Sequence, residues 1–167
     1  MENKIPSKFK VLKCVFYALT VALILLSCTP KVVGPTPDEA KIAVMEQITK
    51  AAEQWSTGNP LGYVDCAASD IVWIDVLGAQ EPVIGSEALR NYLGTFKDQV
   101  PHHKFELLDP IFQVYDDIVI VTYRYLGTFE GVPGDPWKIT SVYRFVNGEW
   151  LSVHENWSEV KEEPIAE

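Results

Sequence analysis

The sequence predicts an α+β domain, and three observations predict it. Apolar residues recur at three- and four-residue spacing in two runs before residue 97. After His103 they alternate at period two. Two of the alternating runs are joined by Asn147-Gly148, the strongest short hairpin signal in the chain. The expected order is three helices, with a brief strand among them, followed by an antiparallel meander.

Each element has its own cause. Thr36-Pro37-Asp38-Glu39 opens the first helix: Thr36 caps, Pro37 suits the first helical position, and Glu39 completes a capping box. Ile42, Met45, Ile48, Ala52 and Trp55 make one apolar stripe that ends near Gly58. Asn59 to Val64 gives a short second helix, Ile71 to Asp75 a brief strand, and Gly78 to Pro82 a loop. Ser86 to Phe96 forms a third helix with Leu89, Tyr92, Leu93 and Phe96 on one side. Strands follow at 104–114, 118–128, 137–146 and 149–158, with a turn at Tyr115-Asp116-Asp117 and a loop at 130–136. The predicted domain covers 36–160, and 161–167 is a charged tail.

The N-terminus predicts a compartment. Lys4, Lys8, Lys10 and Lys13 precede an uncharged, mostly apolar run from Val15 to Leu26. That run fits a secretory signal and is short for a membrane span, which needs about 20 residues. It ends in Leu25-Leu26-Ser27-Cys28, which resembles the bacterial lipobox, whose cysteine is lipidated after cleavage. The expectation is a signal peptide over 1–27, lipidated Cys28 and a linker over 28–35, and a lipid-anchored protein of the bacterial cell envelope. Loss of a segment carrying four lysines and Glu2 takes the formal charge from −9 to −12. So acidic a body excludes nucleic acid as a partner and leaves membrane attachment to the acyl chains. Cys14 leaves with the signal and Cys28 is acylated, so Cys66 has no cysteine to pair with.

The helix ending in Trp55, the Gly58-Asn59-Pro60 step, and Gly85-Ser86-Glu87-Ala88-Leu89-Arg90 together resemble the SnoaL-like branch of the nuclear transport factor 2-like superfamily. The closing WKITSVYRFVNGEWLSVHENWS resembles that branch's ending, which the association domain of calcium/calmodulin-dependent kinase II shares. The resemblance implies a cone: a curved antiparallel sheet wrapped around three N-terminal helices. It also implies a pocket at the open end and homodimers through the sheet's outer face.

Alternation sorts the strands into faces. Val119, Val121, Tyr123 and Tyr125, then Trp137, Ile139, Ser141, Tyr143 and Phe145, then Leu151, Val153, Glu155 and Trp157 are bulkier and more apolar than their neighbours. They are assigned to the inner, pocket-lining face. Ser152, His154 and Asn156 then point outward, which puts His154 at the dimer face. Within the inner set, Ser141 leaves room and Glu155 places a carboxylate among aromatic rings, so it must be solvated, paired or protonated. Asp75 shares parity with Trp73 and is a second carboxylate. Both are candidate general acid–base residues, and the plainer alternative pairs Glu155 with Arg90 or Arg144 and lets Asp75 begin a turn. Trp55, Tyr63, Trp73, Tyr123, Ser141 and Trp157 are the candidate ligand-binding residues.

No CxxC, HxH or HExxH is present, and His102 and His103 diverge in extended backbone, so no metal is expected. No P-loop, GxGxxG or GxSxG is present either, so no cofactor is expected. Cys66 reads as a small core residue. Three functions follow: a membrane-anchored lipoprotein binding a small, partly apolar molecule in an aromatic-lined pocket; a cyclase- or isomerase-like enzyme using Asp75 or Glu155; or a dimeric assembly module.

Overall fold

The computed structural model describes residues 34–75, 77–79 and 81–160. The segment expected to be a signal peptide, the expected lipidation residue Cys28 and the charged tail lie outside the described residues. In chain order the elements are α1 (Pro37–Ser56), α2 (Gly62–Asp65), β1 (Ala67–Ile74), β2 (Val83–Ile84), α3 (Ser86–Gly94), β3 (Lys104–Tyr115), β4 (Ile118–Phe129), β5 (Val132–Pro133), β6 (Trp137–Val146) and β7 (Glu149–Glu159). The α1 capping box forms as expected: the Glu39 carboxylate accepts from the Thr36 N–H at 2.8 Å, and the Thr36 hydroxyl accepts from the Glu39 N–H at 3.4 Å. The buried stripe of α1 differs from the expected one. Ala40, Val44, Ile48, Ala51 and Ala52 face the core, whereas Ile42 is 60% exposed. Small side chains on the packed face let the helix backbone come close to the sheet, and a larger residue there would hold it off.

The sheet runs in the order β2-β1-β7-β6-β4-β3, with β5 extending the edge of β4. The expected sheet was antiparallel; the observed one is mixed. β1 pairs with β7 in parallel, with Trp73 opposite Glu155 and Ile74 opposite Asn156. The chain leaves β1 through β2 and α3, and the meander returns β7 to the edge of β1 in the same direction. Asn147 and Gly148 both take positive φ, 53° and 93°, the conformation that a tight turn matching strand twist requires.

Alternation holds in β4 and β6, where Val119, Val121, Tyr123, Tyr125, Ile139, Ser141 and Tyr143 are buried. It fails in β7. Val142 pairs with His154 but the next residue, Tyr143, pairs with Ser152, so Val153 is an extra, bulged residue. Pairing with β1 breaks at the same place, between Ala67 opposite Ser152 and Val72 opposite His154. Leu151 and Val153, expected inside, are half-exposed; Trp150 and Ser152 are buried in their stead. The bulge flips the parity of the first half of the strand and leaves Glu155 and Trp157 inside.

The bulge brings Ser152 and Glu155 to one side of the strand. Ser152 Oγ donates to Glu155 Oε1 at 2.8 Å, and Ser141 Oγ donates to Oε2 at 2.5 Å from β6. Glu155 is 2% exposed and has no cationic partner among the described residues, as Arg144 pairs with Asp70 at 3.2 Å. Burial pushes the Glu155 carboxyl up to about 7, and the two serine hydroxyls hold it back from a larger rise. Among the described residues, the buried hydroxyls of Tyr63 and Tyr123 in the same core have no hydrogen-bond partner, and an unpaired buried hydroxyl costs about 1–3 kcal/mol.

The direction of the pH dependence follows. Between about 4.5 and about 7 the unfolded chain has released the Glu155 proton while the folded chain still holds it. Stability contributed by this residue is therefore full at acid pH and lost as pH rises through about 7, at about 1.4 kcal/mol per pH unit. In Glu155→Gln that slope disappears, and urea unfolding midpoints measured across the window converge on or exceed the wild type at the alkaline end. An unchanged slope in the variant would show that Glu155 stays ionised in the fold.

Candidate functional site

A cavity of about 300 Å³ lies among the end of α1, α2, the 96–103 segment after α3, and the ends of β4, β6 and β7. Its walls include Trp55, Tyr63, Trp73, Phe96, Tyr125, Phe129, Trp137 and Trp157. Trp157 is the hub. Its ring centroid lies 5.2 Å from Tyr63, 5.6 Å from Trp73, 6.3 Å from both Tyr125 and Trp137, and 6.4 Å from Trp55. Such pairs add about 0.5–1.5 kcal/mol each beyond the area they bury, which favours this arrangement of the wall.

All the candidate residues but Asp75 divide into two groups. Trp55, Tyr63, Trp73 and Trp157 line the cavity. Tyr123, Ser141 and Glu155 do not; they form the buried polar cluster described above, as Tyr123 is raised by burial first and then by the Glu155 charge. Asp75 belongs to neither. Its Oδ2 accepts from Trp73 Nε1 at 2.5 Å, and its Oδ1 accepts from the Leu77 N–H and the Tyr92 hydroxyl, both at 2.8 Å. Asp75 thus fixes the Trp73 indole and starts the turn after β1. Two carboxylates sharing one open cavity is not what the structure holds. Cys66 is half-buried, with its thiol pushed up to about 12 by burial and then by the Glu155 charge, so it stays protonated.

The polar side of the cavity comes from residues outside the candidate set. His103 Nδ1 lies 2.7 Å from the Pro101 carbonyl oxygen, which can only accept. The proton of the neutral ring therefore sits on Nδ1, and Nε2 accepts from the Tyr125 hydroxyl at 2.6 Å. The His103 ring stacks on Phe129 at 4.5 Å. Gly127 makes room for both: a Cβ there would meet Phe129 at 3.0 Å and His103 at 3.2 Å. The signal was present in the run Tyr125-Leu126-Gly127-Thr128-Phe129, which continues the inner parity of β4 and carries a strand glycine where side chains crowd. Among the described residues no group of three His, Cys, Asp or Glu side chains is placed to hold a metal ion.

The chain matches the SnoaL-like domain family over residues 48–153. Three solved structures share the fold. A candidate ketosteroid isomerase from Parabacteroides distasonis ATCC 8503 is 22% identical, with 78% of this chain and 93% of that one covered and a TM-score of 0.62. A nuclear transport factor 2-like protein of unknown function from Pseudomonas putida KT2440 is 20% identical, with 74% and 89% covered and a TM-score of 0.65. The hub homology domain of calcium/calmodulin-dependent kinase II from Chlamydomonas reinhardtii is 20% identical, with 73% and 99% covered and a TM-score of 0.59. A search of curated proteins found no match. With its α+β order, its curved mixed sheet and its family match, this chain belongs to the SnoaL-like domain family, on a nuclear transport factor 2-like fold.

Proposed function

We propose that the protein is a lipid-anchored envelope lipoprotein whose SnoaL-like domain binds a small, partly apolar molecule in the aromatic cavity. The observation that carries the reading is the cavity wall, where four indoles surround about 300 Å³ with few polar groups among them. A concave, preformed, mostly apolar site with a small number of placed polar atoms is the usual form of a small-molecule site. The acid–base alternative keeps one supporting fact, a carboxyl near neutrality beside Tyr123. That carboxyl does not line the cavity, so a substrate would have to displace the aromatic floor to reach it. Binding is the better-supported function.

Titrating 2-naphthol into the full-length protein tests this. Saturable quenching of tryptophan emission and a raised melting temperature are expected. Gly127→Leu, which fills the space between His103 and Phe129, is expected to weaken binding by about tenfold or more with the far-UV spectrum of the fold retained. No saturable response to naphthol or other planar aromatics would overturn the reading.

Anchoring rests on the lipobox-like Leu25-Leu26-Ser27-Cys28. Labelled palmitate should be incorporated into the wild-type protein and not into Cys28→Ser, which should leave the membrane fraction. Equal labelling of both would end this part of the proposal.

A dimer through the outer sheet face is supported by half-exposed apolar side chains, Ile120, Val142, Leu151 and Val153, around His154. A second copy would cover them, and a charge introduced among them is costly to bury. His154→Glu is expected to shift sedimentation from dimer to monomer; sedimentation that matches the wild type would argue against this face.

A further inference from the structure

We infer that the aromatic cavity selects an organic cation, an amine or quaternary ammonium on a small apolar frame. The inference rests on the ligand-binding reading above and adds the charge of the ligand to it. Four observations meet at this one site. First, Trp55, Trp73, Trp137 and Trp157 line the cavity, and an indole face is the best side-chain surface for a cation within about 6 Å of the ring centre. Second, no lysine or arginine is among the lining residues, and the one acid there, Asp135, is exposed.

Third, the His103–Tyr125 pair on the polar wall is turned towards accepting, while the Trp157 Nε1–H and the Tyr63 hydroxyl have no partner among the described residues. His103 spends its Nδ1 proton on the Pro101 carbonyl, and Tyr125 spends its hydroxyl proton on His103 Nε2. What Tyr125 has left for a ligand is oxygen lone pairs, which suit an N–H or a polarised C–H beside a cationic nitrogen. Fourth, the chain carries a formal charge of −9, which attracts cations and repels anions before any contact forms. A neutral apolar guest would gain from the walls but make no use of Asp135 or of the lone pairs. An anion would meet aromatic faces, a carboxylate and a net negative protein, all unfavourable.

The ring faces and the carboxylate act on different parts of the guest. Aromatic walls desolvate the carbon frame, and their quadrupoles compensate the positive charge as its water is removed. Asp135, being exposed, contributes through a screened interaction at the rim, so its effect should fade with added salt.

Choline and 3,3-dimethylbutan-1-ol test the inference, because they have the same shape and differ in a charged nitrogen against a neutral carbon. Each is titrated into the full-length protein while the indole N–H resonances are followed. Choline is expected to bind about tenfold or more tighter than the alcohol, and Asp135→Asn to weaken choline severalfold with the alcohol unchanged. Equal or tighter binding of the alcohol would overturn the cation inference. If naphthol saturates the cavity and choline does not bind, the cation inference fails and small-molecule binding stands. If neither naphthol nor choline binds, both readings fall.

Discussion

The extra residue Val153 in β7 is the constraint on which the interior depends. Without it, Ser152 and Glu155, three positions apart, would point to opposite faces, and the buried carboxyl would lose one of its two donors. Donors are what make burial of that carboxyl tolerable, since no cation among the described residues pairs with it. The bulge also decides what stands on either side of Glu155. Trp150 turns inward before it, where it packs against Phe145 at 5.1 Å, and Trp157 turns inward after it. One inserted residue thus turns the start of the strand, Trp150 and Ser152, to the core while its end keeps Trp157 at the cavity.

The Trp157 hub and the carboxyl cluster are two layers of one wall. The aromatic layer faces the cavity, and the polar layer lies behind it. Three side chains of the polar layer, Ser141, Ser152 and Glu155, satisfy one another, while Tyr63 and Tyr123 keep unpartnered hydroxyls. A core of this kind carries a stability cost that an all-apolar core would avoid. The cost is borne next to a preformed cavity, which is where proteins commonly hold less favourable arrangements. Burial keeps the carboxyl protonated to about pH 7 and so removes a charge that would otherwise sit behind the indoles.

Much of the fold was legible because one physical signal dominates in each part. The capping box around Thr36 and Glu39 is local and formed as read. Alternation in β4 and β6 works because one face is apolar throughout. Other features were not local. The parallel partnership of β1 with β7 joins residues about 80 positions apart, and no short pattern announces it. The bulge was illegible because Ser152-Val153 in either register offers one polar and one apolar residue, and only pairing with both neighbours distinguishes them. Ile42 was misplaced because periodicity counts apolar residues and does not see that alanines are favoured where a helix must lie close to a sheet. His103 was read only as a neighbour of His102 at a loop–strand junction; its role depends on Tyr125, 22 residues on, and on Gly127, which leaves the ring its space.

Separating the two layers also decides what kind of chemistry this fold can host here. Acid–base catalysis needs the titrating group within hydrogen-bond reach of the reacting atom. In this chain the acid is buried and outside the cavity lining, while the Trp73, Trp157 and Tyr63 rings that do line the cavity pack within 6 Å of one another. Moving that floor would break several aromatic contacts at once, each worth up to about 1.5 kcal/mol. Holding a guest in the cavity breaks none of them. The same packing that holds Glu155 outside the cavity lining presents the indoles to the cavity, which is the arrangement the proposed ligand-binding reading needs. The fold alone leaves both arrangements open, so the placement of the acid relative to the cavity separates the two readings.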